Sequence, residues 1–276
     1  MTSEQPIPSG VDKSRPSVAR VYDYMLGGKD NFAIDREVAV RALKITPDGP
    51  AAAQANRAFL RRVVRYLVAD VGIRQFIDVG SGLPTQGNVH EIAARHAPDV
   101  RVIYVDIDPM VLAHGRALLD NATTATVIQA DVKRPQDILG HPDVVARIDF
   151  TRPVGLLLFG ILHHLADDED PAAVAATLRA PLAPGSHLAL SHFRDPGDEH
   201  PIASAKARAI ERIFNQTLGT GRWRTQDEIL AFFGDTELLD PGLVPLAEWR
   251  PDPGEKRPDQ SDTYHTFVGG LSRLTG

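Results

Sequence analysis

The apolar positions of this chain fall into two regimes. Up to about residue 72 they recur at helical spacing. Val18, Val21 and Met25 follow Ser17 and stop at Gly27-Gly28, and Phe59, Val63 and Leu67, flanked by Leu60 and Val64, form an amphipathic stripe that ends near Gly72. From Gln75 onward short apolar or β-branched runs take over: QFIDV, VRVIYVD, ATVIQAD and VGLLLF, each separated by a helical pattern or a longer connection. Runs without a wet face, alternating with helices, predict a parallel sheet covered on both sides. A fifth run, HLALSHF, follows the turn LAPGS, and the tail YHTFVGGLSR reads as a last strand, one half of an antiparallel edge pair with the region around Leu238 to Leu246. The expected fold is α/β: a doubly wound, mostly parallel, seven-stranded sheet with an N-terminal helical extension.

Helix punctuation agrees with this division. Pro84 suits the first turn of a helix whose buried stripe is Val89, Ile92 and Ala93 and which Pro98 ends; Asp170-Pro171 pairs an N-cap with proline at the first helical position. Thr225 to Glu228 forms a capping box ahead of Ile229, Leu230, Phe232 and Phe233, closed by Gly234. Pro201 to about Gly219 is polar and helical. The chain accordingly divides into residues 1–14, polar, proline-rich and expected to be disordered, residues 15–72, a helical lid or extension, and residues 73–276, the sheet domain.

Composition narrows the chemistry. With 276 residues and 43% apolar content the chain supports an ordinary packed core. The net charge of -6, with acids and arginines interleaved, disfavours a nucleic-acid partner. The absence of cysteine excludes disulfides, thiolate metal sites, iron-sulfur clusters and covalent thiol mechanisms. The longest apolar run, Val154 to Leu162, is too short to span a bilayer and the N-terminus lacks an apolar signal region, so the expected location is cytoplasmic, without a membrane partner.

In an open α/β sheet, ligands collect at the carboxyl ends of the strands. Strand 1 ends in Asp78, Gly80, Ser81 and Gly82, a G-x-G turn whose expected third glycine is Thr85. The glycines let a ligand lie on the backbone, but Leu83, Pro84 and Thr85 occupy the half of the motif that a pyrophosphate would need, and Pro84 has no N–H. A ligand ending in an amino-acid group fits better, with Asp78 available to its amine. Strand 2 ends in Asp106 and Ile107, 24 positions after Gly82 in the case of the acid, where a carboxylate accepts hydrogen bonds from both hydroxyls of a ribose; Asp108 before Pro109 reads as a helix cap. Strand 3 ends in Asp131 and Val132, an acceptor for an exocyclic amine and an apolar flank for a base. Amino acid, ribose and adenine in that order describe S-adenosylmethionine.

The stretches IDVGSGLPT, YVDIDP, QADV and LLFGILHHL resemble the successive motifs of class I S-adenosylmethionine-dependent methyltransferases, whose fold is Rossmann-like. ARVYDYMLGGKDNFAIDRE resembles the N-terminal signature of an S-adenosyl methyltransferase family known mainly from actinomycetes and defined by sequence more than by reaction. The likeness runs from about Arg15 to the tail. It implies S-adenosylmethionine as cofactor and S-adenosylhomocysteine as product, with Gly80, Ser81 and Gly82 around the methionine part, Asp106 on the ribose and Asp131 with Val132 on the adenine. One departure is Leu83, which stands where that family's glycine-rich motif has a third glycine.

Strand 4 ends in Phe159 and Gly160 and leads into His163 and His164, followed by Asp167, Asp168, Glu169 and Asp170. Adjacent histidines rarely face one ion and the acids suit a helix N-terminus, so no metal is expected; the turn is read as cofactor or acceptor wall, with His163 or His164 a general-base candidate. His192, at the end of strand 5, is expected on the same rim as a second candidate. The N-terminal signature is denser in polar and aromatic residues than helix packing requires, and Tyr22, Tyr24 and Asn31 are taken as part of a lid over the cofactor. The sulfonium already activates its methyl group, so the protein's task is to align an acceptor and exclude water, and a base is needed only for a hydroxyl or ammonium acceptor. Strand 4 lacks the Asn/Asp-Pro-Pro-aromatic sequence of many amino-methylating nucleic-acid enzymes, which together with the charge favours a small-molecule acceptor. Two rivals stand beside this reading: a nicotinamide oxidoreductase, weakened by the missing third glycine, and a non-catalytic sensor of S-adenosylmethionine or S-adenosylhomocysteine.

Overall fold

The five apolar runs form the parallel half of one sheet in the computed structural model, which describes residues 9–84, 87–119, 124–254 and 260–275. Thr85 and residues 1–8 of the segment expected to be disordered lie outside the described residues. The strands are β1 (Gln75–Val79), β2 (Arg101–Asp106), β3 (Ala125–Gln129), β4 (Gly155–Phe159) and β5 (His187–Phe193), and the tail gives β8 (Phe267–Arg273). Their order is β3-β2-β1-β4-β5-β8, parallel up to β5, with β8 antiparallel to β5 along its full length, His187 facing Arg273 and Phe193 facing Phe267. Beyond β8 the edge is shared by two-residue strands β6 (Glu237–Leu238) and β7 (Val244–Pro245), both paired with β8, so the expected seven strand positions hold eight strands. Between them, Pro241 and Gly242 interrupt the pairing.

Alternate side chains of each strand serve opposite faces. Phe76, Val102, Tyr104, Leu157, Ala189 and Leu271 pack with α3 (Gly49–Tyr66), α4 (Val89–Ala94) and α5 (Pro109–Leu119). Ile77, Ile103, Val105, Leu156, Leu158 and Leu190 pack with α6 (Pro135–Leu139), α7 (Pro142–Arg147), α8 (Pro171–Arg179) and α10 (Gln226–Ala231). Both expected caps of α8 and α10 are present: Asp170 accepts the Ala173 N–H at 3.0 Å, and Thr225 and Glu228 bond reciprocally. Helix α4 starts later than Pro84 suggests. Glu91 accepts the Gly87 and Asn88 N–H groups at 2.9 and 3.1 Å, and this box at Asn88 sets the first turn.

Among the described residues three α-helices precede the sheet, the last running on into a π-helical turn at Leu67–Val71, where the apolar spacing predicts two. Between α1 (Val18–Met25) and α3 lies α2 (Ala33–Leu43), whose buried side is the small set Val38, Ala39 and Ala42. These residues and Val21 pack against Ile210 and Phe214 of α9 (Pro201–Thr217), which places the N-terminal pair across the carboxyl ends of β4 and β5. A buried Arg20–Asp35 ion pair at 2.8 Å ties α1 to α2, and Asp35 also accepts the Ser17 and Phe32 N–H groups. Residues 9–14 run back over the sheet end, where Asp12 caps Ser14 and its carbonyl accepts from Arg20 at 3.3 Å. At the far side Arg62, 1% exposed on α3, donates to the carbonyls of Trp249 and Leu246 at 2.9 and 2.7 Å and anchors the chain that precedes α11 (Asp262–His265) and β8. Among the described residues no helix is long and apolar enough to cross a membrane.

Candidate functional site

The N-terminal helices, the strand ends and α9 enclose a cavity of about 880 Å³. That is near the upper end of the roughly 300–1,000 Å³ range of ligand pockets, room for a cofactor and an acceptor together. Its floor is the end of β1. Gly80 (φ +74°) and Gly82 (φ +67°) take left-handed conformations that other residues resist, and a Cβ on Gly80 would come within 2.7 Å of Ile161. The turn is held by Asp106: one carboxylate oxygen accepts the Gly82 N–H at 2.8 Å, the other the Asp108 N–H at 3.0 Å. The glycine turn and the acid 24 positions later are thus parts of one structure.

Both strand-end acids are strained electrostatically. Asp78, 4% exposed on the α3 side of β1, is pushed up to about 7 by burial, with Arg57 pulling the other way and Asp106 adding to the rise. Asp106 is raised to about 6 by withdrawal from solvent, opposed by the Asp108 and Gly82 N–H groups. Two carboxylates in this condition, side by side on a cavity wall, suit a ligand that brings a cation and a diol. Asp131 and Val132 at the end of β3 and the half-exposed Ile107 extend the same wall; Phe159 and Gly160 close it at β4.

Helix α3 supplies two polar wall residues that the sequence motifs do not single out, Asn56 and Arg57, beside Ala52, Ala53 and Leu60. Asn56 receives the Ser191 hydroxyl at 2.7 Å and donates to the Tyr22 hydroxyl at 3.1 Å, which in turn donates to the Ala53 carbonyl at 3.1 Å. Burial raises the Tyr22 phenol. The signal was present: Ala53, Asn56, Leu60, Val63 and Leu67 form one helical stripe, so Asn56 is a polar residue in a buried row.

Of the residues expected in the site, Asp78, Gly80, Ser81, Gly82, Asp106, Ile107, Asp131, Val132, Phe159, Gly160 and Tyr22 line the cavity, as do His163 and His164. Tyr24 and Asn31 do not. Tyr24 packs against the cluster formed by α1, α2 and α9, and Asn31 donates to Asp23 and the Gly28 carbonyl at 2.8 and 3.0 Å while accepting from Arg36, so it builds the glycine turn of the N-terminal segment. His192 is also off the wall. In β5 the side chains of Ser191 and Phe193 face α3 and the cavity, and His192, one residue out of phase, points to the other face beside Phe232. There its Nδ1 donates to the Phe193 carbonyl at 2.7 Å and its Nε2 accepts from Arg224 at 3.2 Å, while burial pushes it down to about 3.

The two histidines that remain differ in freedom. His163 accepts the Phe193 N–H on Nδ1 at 3.3 Å, which puts its proton on Nε2, and burial holds it well below the ordinary histidine range. His164 is lowered to about 4 by burial, so it is neutral at physiological pH, and among the described residues no group fixes its Nδ1. Their loop is fastened by Arg224, which donates to the Leu162 and Leu165 carbonyls at 3.4 and 2.9 Å and to Asp167 at 2.8 Å. Glu169 accepts the Ala166 N–H and meets Lys133, Asp170 caps α8, and among the described residues no group of three or more His, Cys, Asp or Glu is placed to hold a metal ion.

A family model described as S-adenosyl methyltransferase matches residues 4–275. The chain belongs to this family. Its cofactor is S-adenosylmethionine and it is a methyltransferase, which removes the nicotinamide reading. The structure is similar to that of a candidate methyltransferase from Thermobifida fusca YX, 45% identical, TM-score 0.90, over 97% of this chain and 98% of that one. It is likewise similar to a DUF574 family protein from Streptomyces avermitilis MA-4680, 35% identical, TM-score 0.87, over 95% and 99% of the two chains. An O-methyltransferase family protein from Burkholderia thailandensis, 12% identical with a TM-score of 0.53 over 92% and 64%, shares the fold. No curated protein matches the chain.

Proposed function

We propose that this S-adenosyl methyltransferase holds its cofactor along the ends of β1, β2 and β3 and transfers the methyl group to a small molecule enclosed with it. The observation that carries the reading is the pair of protonation-prone carboxylates, Asp78 and Asp106, on the wall shared with Gly80 and Gly82. The bound cofactor supplies a methyl group already activated by its sulfonium. Asp78 binds the amine of the methionine part and Arg57 its carboxylate; the Gly80 to Gly82 backbone lets that part lie flat. Asp106 accepts from the two ribose hydroxyls, Asp131 from the adenine amine, and Ile107 and Val132 cover the base. Phe159 and Gly160 give the floor under the sulfonium, and Tyr22, held by Asn56 and Ala53, closes from above. Residues 15–48, with α1 and α2, act as a lid that opens for exchange and keeps water out during transfer, its Ser17 hydroxyl latched on Asp108, whereas α3, buried in the core through Phe59, Val63 and Leu67, stays in place.

His164 takes a proton where the acceptor is a hydroxyl, since it is neutral and lines the cavity, whereas His163 has one nitrogen engaged and His192 both. The enclosed volume favours a small acceptor over a macromolecule. Calorimetric titration with S-adenosylmethionine, S-adenosylhomocysteine and NAD tests the assignment: the first two bind and NAD does not. Methyl transfer to any acceptor removes the sensor alternative; failure of S-adenosylhomocysteine to bind sinks the cofactor assignment.

The carboxylates also set a pH dependence. In the free protein Asp78 and Asp106 titrate at about 7 and about 6, raised from the ordinary range. A bound amine and a bound diol both demand the ionised forms, so binding releases protons below pH 7 and affinity rises with pH. The groups facing Asp78 are Arg57, Asp106 and Tyr104, and the Tyr104 phenol, raised by burial well above its ordinary range, stays neutral in this window. Affinity for S-adenosylmethionine is expected to fall roughly 20-fold from pH 8 to pH 6, about tenfold through Asp78 and about twofold through Asp106. Titrations in buffers of different ionisation enthalpy check it, and a flat profile counts against Asp78 as the amine partner.

A further inference from the structure

The cavity is divided by charge. At the ends of β1, β2 and β3 its wall carries Arg57, Asp78, Asp106, Asp131 and Lys133. The ends of β4 and β5, the start of β8, α2 and α9 contribute no aspartate, glutamate, lysine or arginine to the described wall, and Arg20, which α1 adds, is buried against Asp35 at 2.8 Å. The hydroxyls there are spent on the protein: Thr46 donates to the Ala42 carbonyl at 3.4 Å, Thr220 to the His164 carbonyl, Thr263 to Asp48 and Thr266 to the Thr263 carbonyl at 3.2 Å. His163 and His164 are both depressed by burial and carry no charge.

Aromatic rings define the shape of this half. His163 lies flat on Phe193, centroids 3.6 Å apart and 9° between planes, and Phe193 lies flat on Trp223 at 4.2 Å and 10°. Phe267 and Phe214 stand across the same Phe193 ring at 62° and 50°. All five rings line the cavity, and Phe193 and Trp223 are only partly buried, so their remaining surface is the wall itself. His163 and Trp223 cover the two faces of Phe193, so the stack presents the edge of Phe193 and the free part of Trp223 as the apolar wall of an aromatic slot. An ionised guest would lose its hydration here and meet no countercharge; a flat uncharged one would lose little and gain ring contact.

We propose that the methyl acceptor is an uncharged, flat aromatic molecule bearing a hydroxyl group, seated against Phe193 and Trp223 with the hydroxyl toward His164. The inference rests on the cofactor occupying the charged half. In the transfer, an oxygen lone pair of the acceptor forms the new O–CH3 bond as the S–CH3 bond breaks and its electron pair stays on sulfur. The hydroxyl proton passes to a ring nitrogen of His164 and from there to solvent.

The test is calorimetry on the full-length protein with S-adenosylhomocysteine, naphthol, its acid analogue naphthoate and its saturated analogue decalol, which is uncharged but not flat. Naphthol, with and without S-adenosylhomocysteine, is expected to bind at least about tenfold more tightly than either analogue. Trp223→Leu is expected to weaken naphthol by about tenfold while changing S-adenosylhomocysteine affinity by less than about twofold. Naphthoate or decalol binding as tightly as naphthol overturns the proposal, as does no naphthol binding by a protein that binds S-adenosylhomocysteine. Selective naphthol binding without any S-adenosylhomocysteine binding upholds the aromatic slot and instead overturns the cofactor assignment.

Discussion

Asp106→Ala will weaken S-adenosylmethionine binding by at least about 100-fold, a loss of roughly 2.7 kcal/mol or more. Two contributions add. A carboxylate that accepts from both ribose hydroxyls makes charge-assisted bonds worth about 1.5–3 kcal/mol each in net terms. The same carboxylate accepts the Gly82 and Asp108 N–H groups at 2.8 and 3.0 Å, so its removal also leaves the glycine turn without its brace. Asp106→Asn separates the two. Its amide can take one of these N–H groups but presents donors to the other and to a ribose hydroxyl, so it should keep the fold and lose most of the affinity. Calorimetry with S-adenosylmethionine, paired with thermal unfolding of each variant, makes the measurement. Unchanged affinity in both variants would place the ribose elsewhere.

What the sequence disclosed follows from how parallel sheets are buried. Strands covered on both faces read as apolar runs, so Asp78, Asp106 and Asp131 stand out at the polar ends, where the topology brings them to one rim. Helix α2 was less legible because its buried side is Val38, Ala39 and Ala42, small residues set among Arg36, Glu37 and Arg41. The N-terminal signature announced a function by its density of polar groups, yet density does not say which side chains face a ligand. Tyr22 reaches the wall, while Asn31 is consumed in holding the turn around Gly28 through Asp23. His192 was misplaced for a simpler reason. Strand alternation puts it opposite Phe193, and that rule was available from HLALSHF alone. Arg224 gave no local sign, because its partners lie 57 to 62 positions away on the β4 loop and 32 away on β5.

Arg224→Met is expected to destabilise the protein by about 3 kcal/mol, in the range of losing hydrogen bonds from a charged donor to buried acceptors. The guanidinium is 6% exposed and satisfies the Leu162 and Leu165 carbonyls and His192 Nε2 at once. Methionine fills much of the volume and reaches none of them. The Asp167 contact adds little, since that carboxylate is 75% exposed and solvent screens the pair. The loop that Arg224 fastens carries His163 and His164, so the loss should reach the acceptor side of the cavity and spare the ends of β1 to β3. The expected result is a melting temperature lower by roughly 6–10 °C, with S-adenosylhomocysteine affinity at low temperature nearly unchanged. Arg224→Lys, which keeps the charge but not the fork, should recover less than half of the stability. A variant as stable as the parent, or one that loses the cofactor along with its stability, would show that the β4 loop is held by its packing alone or that the two halves of the cavity do not move independently.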